Sequence, residues 1–279
     1  MISMNLSYHN GISRISPWRA NLKPCIFGLA GILMVLASGC GPSREGKVTQ
    51  FSTIDALMAG VYDGDFSCSQ VMRQGDLGLG TFDCLDGEMV VVDGVIYQVT
   101  SDGKVRRAKG SVETPFAAVT RFRPDQSAES RGLMSMAAME KQLDRLCPNK
   151  NGIYAIRIRG AFPTMKTRSV AAQSKPYRKL VEVAKEQSVF ALGPVRGTLV
   201  GFRFPTSFRG INVPGYHLHF VSDDRRSGGH VLDFVAAPGA RIETLHCTRF
   251  EMFLPGDQSD FSRAALGSDR PADLDFVER

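Results

Sequence analysis

The sequence has little of what marks several common classes of protein. Its 279 residues include only six Cys, one Trp and five His. No two Cys residues form a CxxC pair, which argues against a cysteine-based zinc site. The chain also lacks a P-loop and a GxGxxG segment that enters a helix, so it carries no signature of nucleotide binding. Its function must therefore be sought in other residue types.

Excess charge of one sign is also scarce. The formal net charge is +6, and three of the basic residues, Arg14, Arg19 and Lys23, lie in an N-terminal segment without Asp or Glu. Without these three, the charge is about +3, too small to indicate nucleic acid as a partner. The remaining Lys and Arg residues are scattered, which is typical of a solvated surface.

The longest apolar run is N-terminal and has the features of a targeting segment. Residues 25–36 are apolar, follow the basic residues named above, and lead through small residues to Cys40. The run is short for a membrane span, and its order is that of a signal peptide. The ending resembles a bacterial lipobox, although Leu36 stands one place earlier than usual and Ala37 takes its position. We expect a signal peptide over residues 1–40.

Lipidation of Cys40 would attach the mature chain to a membrane, and we expect a periplasmic or outer-membrane-anchored lipoprotein. Ordinary cleavage and retention as an anchor are the alternatives. Four later Cys residues could form disulfides in an oxidising compartment, but the sequence leaves their state open: Cys68, Cys84, Cys147 and Cys247.

The remainder of the chain predicts a β-rich α+β fold with mixed sheets and about three helices. Turn signals such as Asp86-Gly87 and Asp93-Gly94 separate segments rich in β-branched residues. The predicted helices span residues 52–58 with Ser52 as N-cap, 134–146 and 177–186. The predicted parts are a linker (41–50), an N-terminal mixed α/β domain (51–190), a C-terminal β domain (191–255) and a tail without clear pattern (256–279).

Three of the five His residues lie in one predicted β-hairpin. His217 and His219 are two positions apart on a strand, so their side chains point to the same face. A polar turn then leads to a strand that opens with His230. Three imidazoles with one open coordination position are typical of a catalytic zinc site. A chance HxH pair on a half-exposed strand is the simpler alternative.

Several segments together resemble the acetolactate decarboxylase family over about residues 51–255, in the family's order. They are GDLGLGTF (75–82), LDGEM (85–89), TPF (114–116), KTRSV (166–170), GINVPGYHLHF (210–220), DDR (223–225) and GGHVLD (228–233). The resemblance implies a two-domain α/β homodimer that converts (S)-2-acetolactate to (R)-acetoin and CO2. A zinc ion chelated by the substrate's hydroxyl and ketone oxygens would absorb the charge of the enolate left by CO2.

The resemblance also implies functions for individual residues. His217, His219 and His230 fall on the family's zinc ligands. Glu88 and Arg168 fall on a catalytic glutamate and arginine, with Arg168 also binding substrate, and Thr81 falls on a threonine near the substrate. The family brings a glutamate from its tail to the site, for which Glu278 is the candidate here. The final proton donor stays open between Glu88, Arg168, Glu278 and a water.

Simpler interpretations and two rival functions stand beside this one. On spacing alone, Glu88 is a solvated strand residue, Arg168 is a surface charge, and His246 is a structural histidine. A cupin-like metal oxygenase or isomerase also uses HxH with a later His on β-strands. A non-enzymatic periplasmic lipoprotein that binds a metal or ligand is the second rival.

Overall fold

The computed structural model describes residues 46–267 and 271–278 of the chain. The predicted signal peptide, its lipidation site Cys40 and the first half of the predicted linker lie outside these residues. None of the helices described is long and apolar enough to cross a membrane.

Strands dominate the described chain. They are β1 (Gly46–Phe51), β2 (Phe66–Ser67), β3 (Leu77–Thr81), β4 (Glu88–Val92), β5 (Val95–Val99), β6 (Val105–Arg107), β7 (Glu113–Thr114), β8 (Ala117–Thr120), β9 (Gln126–Glu129), β10 (Met134–Ser135), β11 (Ile153–Phe162), β12 (Thr164–Ser169), β13 (Ser188–Leu192), β14 (Val195–Phe204), β15 (Gly215–Ser222), β16 (Gly228–Ala236) and β17 (Arg241–Phe253). The α-helices are α1 (Ile54–Met58), α2 (Cys68–Gln74), α3 (Met136–Leu146), α4 (Leu180–Val183) and α5 (Pro271–Glu278). Short 3-10 turns lie at Asp83–Leu85, Ala184–Glu186, Thr206–Phe208 and Asp260–Arg263.

Fifteen of these strands form one mixed sheet. Its order is β13-β12-β16-β15-β14-β11-β17-β1-β8-β3-β4-β5-β6, with β10 beside β16 and β9 beside β17. The pairing of β1 with β17 is parallel, whereas the neighbours of β4, β12, β15 and β16 are antiparallel. This strand-rich mixed sheet with a few helices confirms the predicted fold class.

The sheet curls so that strands far apart in its order meet. Arg168 on β12 contacts Glu88 on β4, and Ser169 beside it bonds to Val99 on β5. Neither β4 nor β5 neighbours β12 in the sheet. The curl therefore brings β12 and the histidine strands against the β3–β5 segment, which is what assembles the site described below.

Local sequence explains the strands that line this interior. β4 is a run of Glu, Met and three Val residues buried along its whole length, as expected for a strand covered on both faces. Asp93 and Gly94, with φ of 50° and 77°, make the tight turn into β5 that the Asp-Gly pair predicts. The turn sets the register that places Glu88 directly opposite Val99.

Element boundaries differ from prediction in several places. The N-cap of α1 is Thr53, whose hydroxyl accepts from the backbone N–H of Ala56, rather than Ser52, which has a φ of 61°. The predicted helix at 134–146 begins two residues later because Met134 and Ser135 pair with β16 as strand β10. The helix predicted at 177–186 is confined to α4 and the following 3-10 turn.

The sequence of the tail shows no clear pattern, yet part of the tail is helical. Helix α5 spans Pro271–Glu278, and Leu274 and Val277 on it are buried against α1 and α4 side chains. Only two apolar residues at helical spacing carry this contact, a signal too short to separate a helix from a loop.

The two-domain division stays a prediction. Its boundary at 190/191 falls inside β13, and strands from both sides of it, such as β11 and β14, are neighbours in the same sheet. β1 begins at Gly46, within the predicted linker. In the described chain, all four later cysteines are free thiols, and three of them are buried.

Candidate metal centre

The three predicted histidine ligands lie on two adjacent strands. His217 and His219 are on β15, and His230 is on β16, where it pairs directly opposite His219. The turn between these strands includes Asp223 and Arg225, and Arg225 has a φ of 57°. Directly opposite residues of an antiparallel pair present their side chains to the same face, so the hairpin aims all three imidazoles at one point.

The distances show that the imidazoles converge. Nε2 of His217 and Nε2 of His219 are 3.2 Å apart, and one ligand nitrogen from each ring lies within 4.8 Å of the others. The three side chains are buried, with exposures of 6%, 1% and 1%. At this spacing, three rings can share one ion. Among the described residues, these three histidines form the group that could hold a metal ion.

The protonation state of the rings suits a cation. Burial, reinforced by the charge of Arg168, lowers the pKa of His217 to about 3, and burial lowers the pKa of His219 and His230 well below its usual value. The rings are therefore neutral and keep a free lone pair. Nδ1 of His230 is buried without a hydrogen-bond partner. A cation would satisfy such an orphaned nitrogen atom.

Backbone carbonyls orient two of the rings. His219 donates from Nδ1 to the carbonyl oxygen of Met89 at 2.8 Å, which leaves Nε2 free to ligate. His230 donates from Nε2 to the carbonyl oxygen of Glu278 at 3.2 Å, which leaves Nδ1 free. Hydrogen bonds of this kind fix the tautomer of a metal-binding histidine.

Glu88 and Arg168 meet in the same interior as a buried ion pair. Nη1 of Arg168 donates to Oε1 of Glu88 at 2.8 Å, and both residues are less than 7% exposed. The interpretation of either as a surface residue was therefore wrong. Arg168 also donates from Nη2 to the carbonyl oxygen of Val277 at 2.8 Å, while its Nε has no partner. The Nε–H of the guanidinium is thus available to a ligand.

The carboxyl groups near the three histidines can hold protons near neutral pH. Burial raises the pKa of Glu88 to about 7, opposed by the charge of Arg168 and supported by that of Glu278. The other carboxylate oxygen of Glu88, Oε2, lies 3.4 Å from Nε2 of His219. Arg168, His230 and His219 lie directly opposite one another across β12, β16 and β15. The guanidinium, two imidazoles and a carboxyl group therefore surround one small volume.

The tail glutamate also reaches this volume. Oε2 of Glu278 lies 3.2 Å from Nε2 of His217, without hydrogen-bond geometry, and 3.9 Å from Nδ1 of His230. Burial raises its pKa to about 7, against the charge of Arg168. The last turn of α5 contributes its carboxyl group here and its backbone carbonyls to Arg168 and His230.

Thr81 lines the cavity, but its hydroxyl proton is already in use. Its Oγ1 donates to the carbonyl oxygen of Gly87 at 2.7 Å, and both atoms are buried. Thr81 pairs directly opposite Glu88. Its hydroxyl therefore anchors the turn that precedes Glu88 and can only accept a further hydrogen bond.

An apolar wall completes the cavity, and this wall was not predicted. The cavity has a volume of about 30 Å³. Its apolar lining comes from Ile54, Leu57, Leu85, Phe116, Val170, Leu180 and Val277. Several of these belong to the short helices α1, α4 and α5. The i, i+3 spacing of Ile54 and Leu57 was the available signal, although it indicates only a buried helix face.

His246, interpreted as structural, lies outside this group. Its ring stacks on that of Tyr154, with centroids 4.8 Å apart. Asp223 and Asp224 lie in the exposed hairpin turn, where Asp224 accepts a hydrogen bond from the hydroxyl of Ser222 at 2.6 Å.

Comparison with known proteins shows the family to which this site belongs. The family model of alpha-acetolactate decarboxylase matches residues 48–268. The alpha-acetolactate decarboxylase of Methanosarcina mazei is 44% identical over 230 residues, covering 82% of this chain and 79% of that protein. That of Bacillus subtilis is 42% identical over 203 residues, covering 73% and 80%.

A solved structure agrees with these relatives. The crystal structure of alpha-acetolactate decarboxylase from Bacillus subtilis strain 168 superimposes with a TM-score of 0.80 at 39% identity, and covers 83% of this chain and 99% of that one. The family match includes the three histidines, Glu88 and Arg168, whereas Glu278 lies beyond its last residue. The chain belongs to the alpha-acetolactate decarboxylase family.

Proposed function

We propose that this protein decarboxylates (S)-2-acetolactate to (R)-acetoin and CO2 at the buried histidine triad, with zinc as its metal. Family membership supports a decarboxylase that acts on acetolactate. The observation that carries the proposal is the convergence of three neutral imidazoles on a cavity that also contains Glu88, Arg168 and Glu278.

His217, His219 and His230 would hold the zinc ion. Three neutral imidazoles with an open position are the ligand set of a catalytic zinc site. His219 would bind through Nε2 and His230 through Nδ1, since the other nitrogen of each ring is hydrogen-bonded to a carbonyl. When bound, zinc supplies a Lewis acid for the oxygen atoms of the substrate.

Arg168 would bind and orient the substrate carboxylate. Its guanidinium is buried, is held by Glu88 and by the carbonyl of Val277, and keeps Nε–H without a partner. A held guanidinium presents its donors in a fixed plane, which suits a carboxylate. Orientation matters because the bond to the carboxylate breaks most readily when it lies perpendicular to the plane of the neighbouring ketone.

Glu88 or Glu278 would supply the proton that replaces CO2. Cleavage of the bond to the carboxylate leaves an electron pair on the carbon atom that carried the carboxylate. One proton must be added to that carbon to complete acetoin. With a pKa of about 7, each of these carboxyl groups can hold a proton near neutral pH and release it. Delivery from one side of the cavity would give a single enantiomer.

The apolar wall would keep bulk water from the reacting carbon. Leu85, Phe116, Val170 and Val277 supply side chains that cannot donate a proton. Proton transfer is then restricted to the carboxyl groups of the site, and the charges of Arg168 and Glu88 interact in a medium that screens them weakly.

Acetoin formation by the purified protein tests this function. Residues 41–279, produced without the leader and loaded with zinc, are incubated with racemic 2-acetolactate with and without a chelator. We expect rapid formation of one acetoin enantiomer, which the chelator and His217→Ala both abolish. His246→Ala is the matched control because it removes an imidazole outside the site, and it should keep most of the activity.

No acetoin above the buffer rate from folded, zinc-loaded protein would refute the proposal. Oxygen consumption with iron in place of zinc would instead support the cupin-like alternative. Tight metal binding without turnover would support a binding protein.

We also propose that the chain is exported, lipidated at Cys40 and held at a membrane by that lipid. The support is the order of basic, apolar and small residues before Cys40. In a bacterial host that processes lipoproteins, the wild-type protein should fractionate with membranes and incorporate labelled fatty acid, and Cys40→Ser should do neither. Equal fractionation of the two would refute lipidation.

The homodimer implied by the family resemblance is proposed as well. Light scattering on the chain without its leader should give twice the mass of one chain. A mass of one chain at micromolar concentration would contradict it.

A further inference from the structure

Two buried hydroxyl groups flank Arg168 on β12. Oγ1 of Thr167 donates to the carbonyl oxygen of Gly228, and Oγ of Ser169 donates to that of Val99, both at 2.8 Å. The first bond joins β12 to its ladder neighbour β16, which is already held by backbone hydrogen bonds. The second is different because β12 and β5 are not neighbours in the sheet.

The acceptor of the Ser169 bond has a specific location. Val99 on β5 pairs directly opposite Glu88 on β4. The carboxylate of Glu88 accepts from Arg168, and the main chain of Val99 accepts from Ser169. Two consecutive residues of β12 therefore bind the two members of one cross-strand pair, one through its side chain and the other through its backbone.

The two contacts differ in stiffness. Arg168 and Glu88 are long side chains with several rotatable bonds, so their ion pair can persist while the strands that carry them shift. The Ser169 hydroxyl is one carbon from the main chain and binds main chain, so it limits the distance between the strands. Ser169 is fully buried and does not line the cavity, which means that it acts on the site only through its neighbours.

We propose that the hydroxyl of Ser169 is a positioning group that fixes Arg168 and Glu88 relative to each other by closing the curled sheet where they meet. The inference rests on the proposed function of these two residues. A displacement of about 1 Å in groups that orient a substrate can lower a rate about 100-fold. Removal of this hydroxyl should therefore affect catalysis beyond its effect on folding.

The test compares Ser169→Ala with Ser130→Ala. Ser130 is buried, its hydroxyl donates to the carbonyl of Ala237 at 2.7 Å, and it does not line the cavity. Both variants lose one buried hydroxyl and its bond to a carbonyl. Ser130→Ala also loses the acceptor of the backbone N–H of Ala240 at 2.9 Å, so its Tm should fall at least as far as that of Ser169→Ala. We expect only Ser169→Ala to lose kcat, about tenfold to 100-fold.

The enantiomeric purity of the acetoin should also fall only in Ser169→Ala, because the carboxyl group and the guanidinium would no longer be held in one arrangement. Ser169→Thr keeps the donor and should retain the wild-type purity. Equal kcat and equal purity in Ser169→Ala and Ser130→Ala would overturn the proposal and leave Ser169 a purely structural residue. If Ser169→Ala does not fold, Ser169→Cys fills the space with a weak donor, and the same losses are expected.

A crystal structure of the Ser169 variant provides a measurement that does not depend on turnover. The hydroxyl of Ser169 lies 2.8 Å from the carbonyl oxygen of Val99 in the wild type, and the main chains of residues 169 and 99 should lie farther apart, or vary between copies, in the variant. An unchanged β12–β5 separation would overturn the inference. Absence of acetoin from wild-type protein would instead refute the proposed function, so the two failures are distinguishable.

Discussion

At the scale of single residues, several polar groups of the site are already hydrogen-bonded to backbone carbonyls of the protein. Thr81 was expected to bind substrate, yet its proton is donated to the carbonyl of Gly87. His219 and His230 each use one ring nitrogen on a carbonyl. Of the Arg168 nitrogens, Nε is the one without a partner. The donors and ring nitrogens that no hydrogen bond uses are the ones available to a substrate or a metal.

A substitution at Thr81 can distinguish positioning from substrate binding. Thr81→Val keeps the volume but leaves the buried carbonyl of Gly87 without a donor, so we expect a loss of about 1–2 kcal/mol in the free energy of unfolding. The value of kcat should fall because the turn before Glu88 loosens, while KM changes little. Urea unfolding and steady-state kinetics measure both, and Thr81→Ser should behave nearly as wild type. A raised KM at unchanged stability would mean that the hydroxyl binds substrate directly.

One glycine of the histidine hairpin should resist substitution for two reasons. Gly229 has a φ of 127°, and a Cβ added there would lie 2.4 Å from the carbonyl oxygen of Arg168. Gly94 also has a positive φ, 77°, but a Cβ there would meet nothing within 4 Å.

We expect Gly94→Ala to cost about 1 kcal/mol from backbone strain alone. Gly229→Ala should cost about 3 kcal/mol or more, since the β12–β16 ladder must shift. Chemical denaturation of both variants measures the difference. Equal costs would show that the ladder accommodates the methyl group.

At the scale of elements, α5 combines a small apolar contact with a strong effect on the site. Among its described side chains, Leu274 and Val277 carry the buried apolar contact. Its last turn nevertheless supplies the Glu278 carboxyl group and the carbonyls that accept from Arg168 and His230.

Truncation after residue 267 tests how much α5 contributes to stability and to activity. Loss of two buried apolar side chains should lower the free energy of unfolding by about 3–6 kcal/mol. Activity should fall about 100-fold or more, because Arg168 and His230 lose their orienting partners and one proton donor disappears. Glu278→Gln in the full-length chain is the matched control, since it keeps the helix and its carbonyls. Full activity of the truncated protein would remove α5 from the site.

At the scale of the whole molecule, the site joins distant parts of the chain. Glu88, Arg168, the histidine hairpin and Glu278 come together because the sheet curls and α5 returns to its interior. A metal that binds these histidines only in the folded state must therefore stabilise the entire fold.

Metal removal should be visible in thermal unfolding. A free metal concentration 1,000 times the Kd stabilises the native state by about 4 kcal/mol, which for a chain of this size corresponds to about 8–16 °C in Tm. We expect a chelator to lower the Tm of wild-type protein by this amount and zinc to restore it. The Tm of His217→Ala should respond much less to either. A wild-type Tm that does not respond to chelator or zinc would show that the fold holds no tightly bound metal.

The sequence by itself determined the features that depend on neighbouring residues and repeating pattern. The histidine strands follow from the two-residue period of β-structure, and β4 and β5 follow from β-branched runs on either side of Asp93-Gly94. The family followed from several motifs in one order, and those motifs contain the Glu88 and Arg168 that the structure brings together.

Only the tertiary structure decided what depends on the curl of the sheet and on contacts between distant segments. No local pattern places Ser169 against Val99, commits the Thr81 hydroxyl to Gly87, or folds residues 271–278 into a helix over the histidines. The physical reason is that a strand's period specifies which face a side chain occupies, whereas its partner across the interior depends on how far the whole sheet twists and closes.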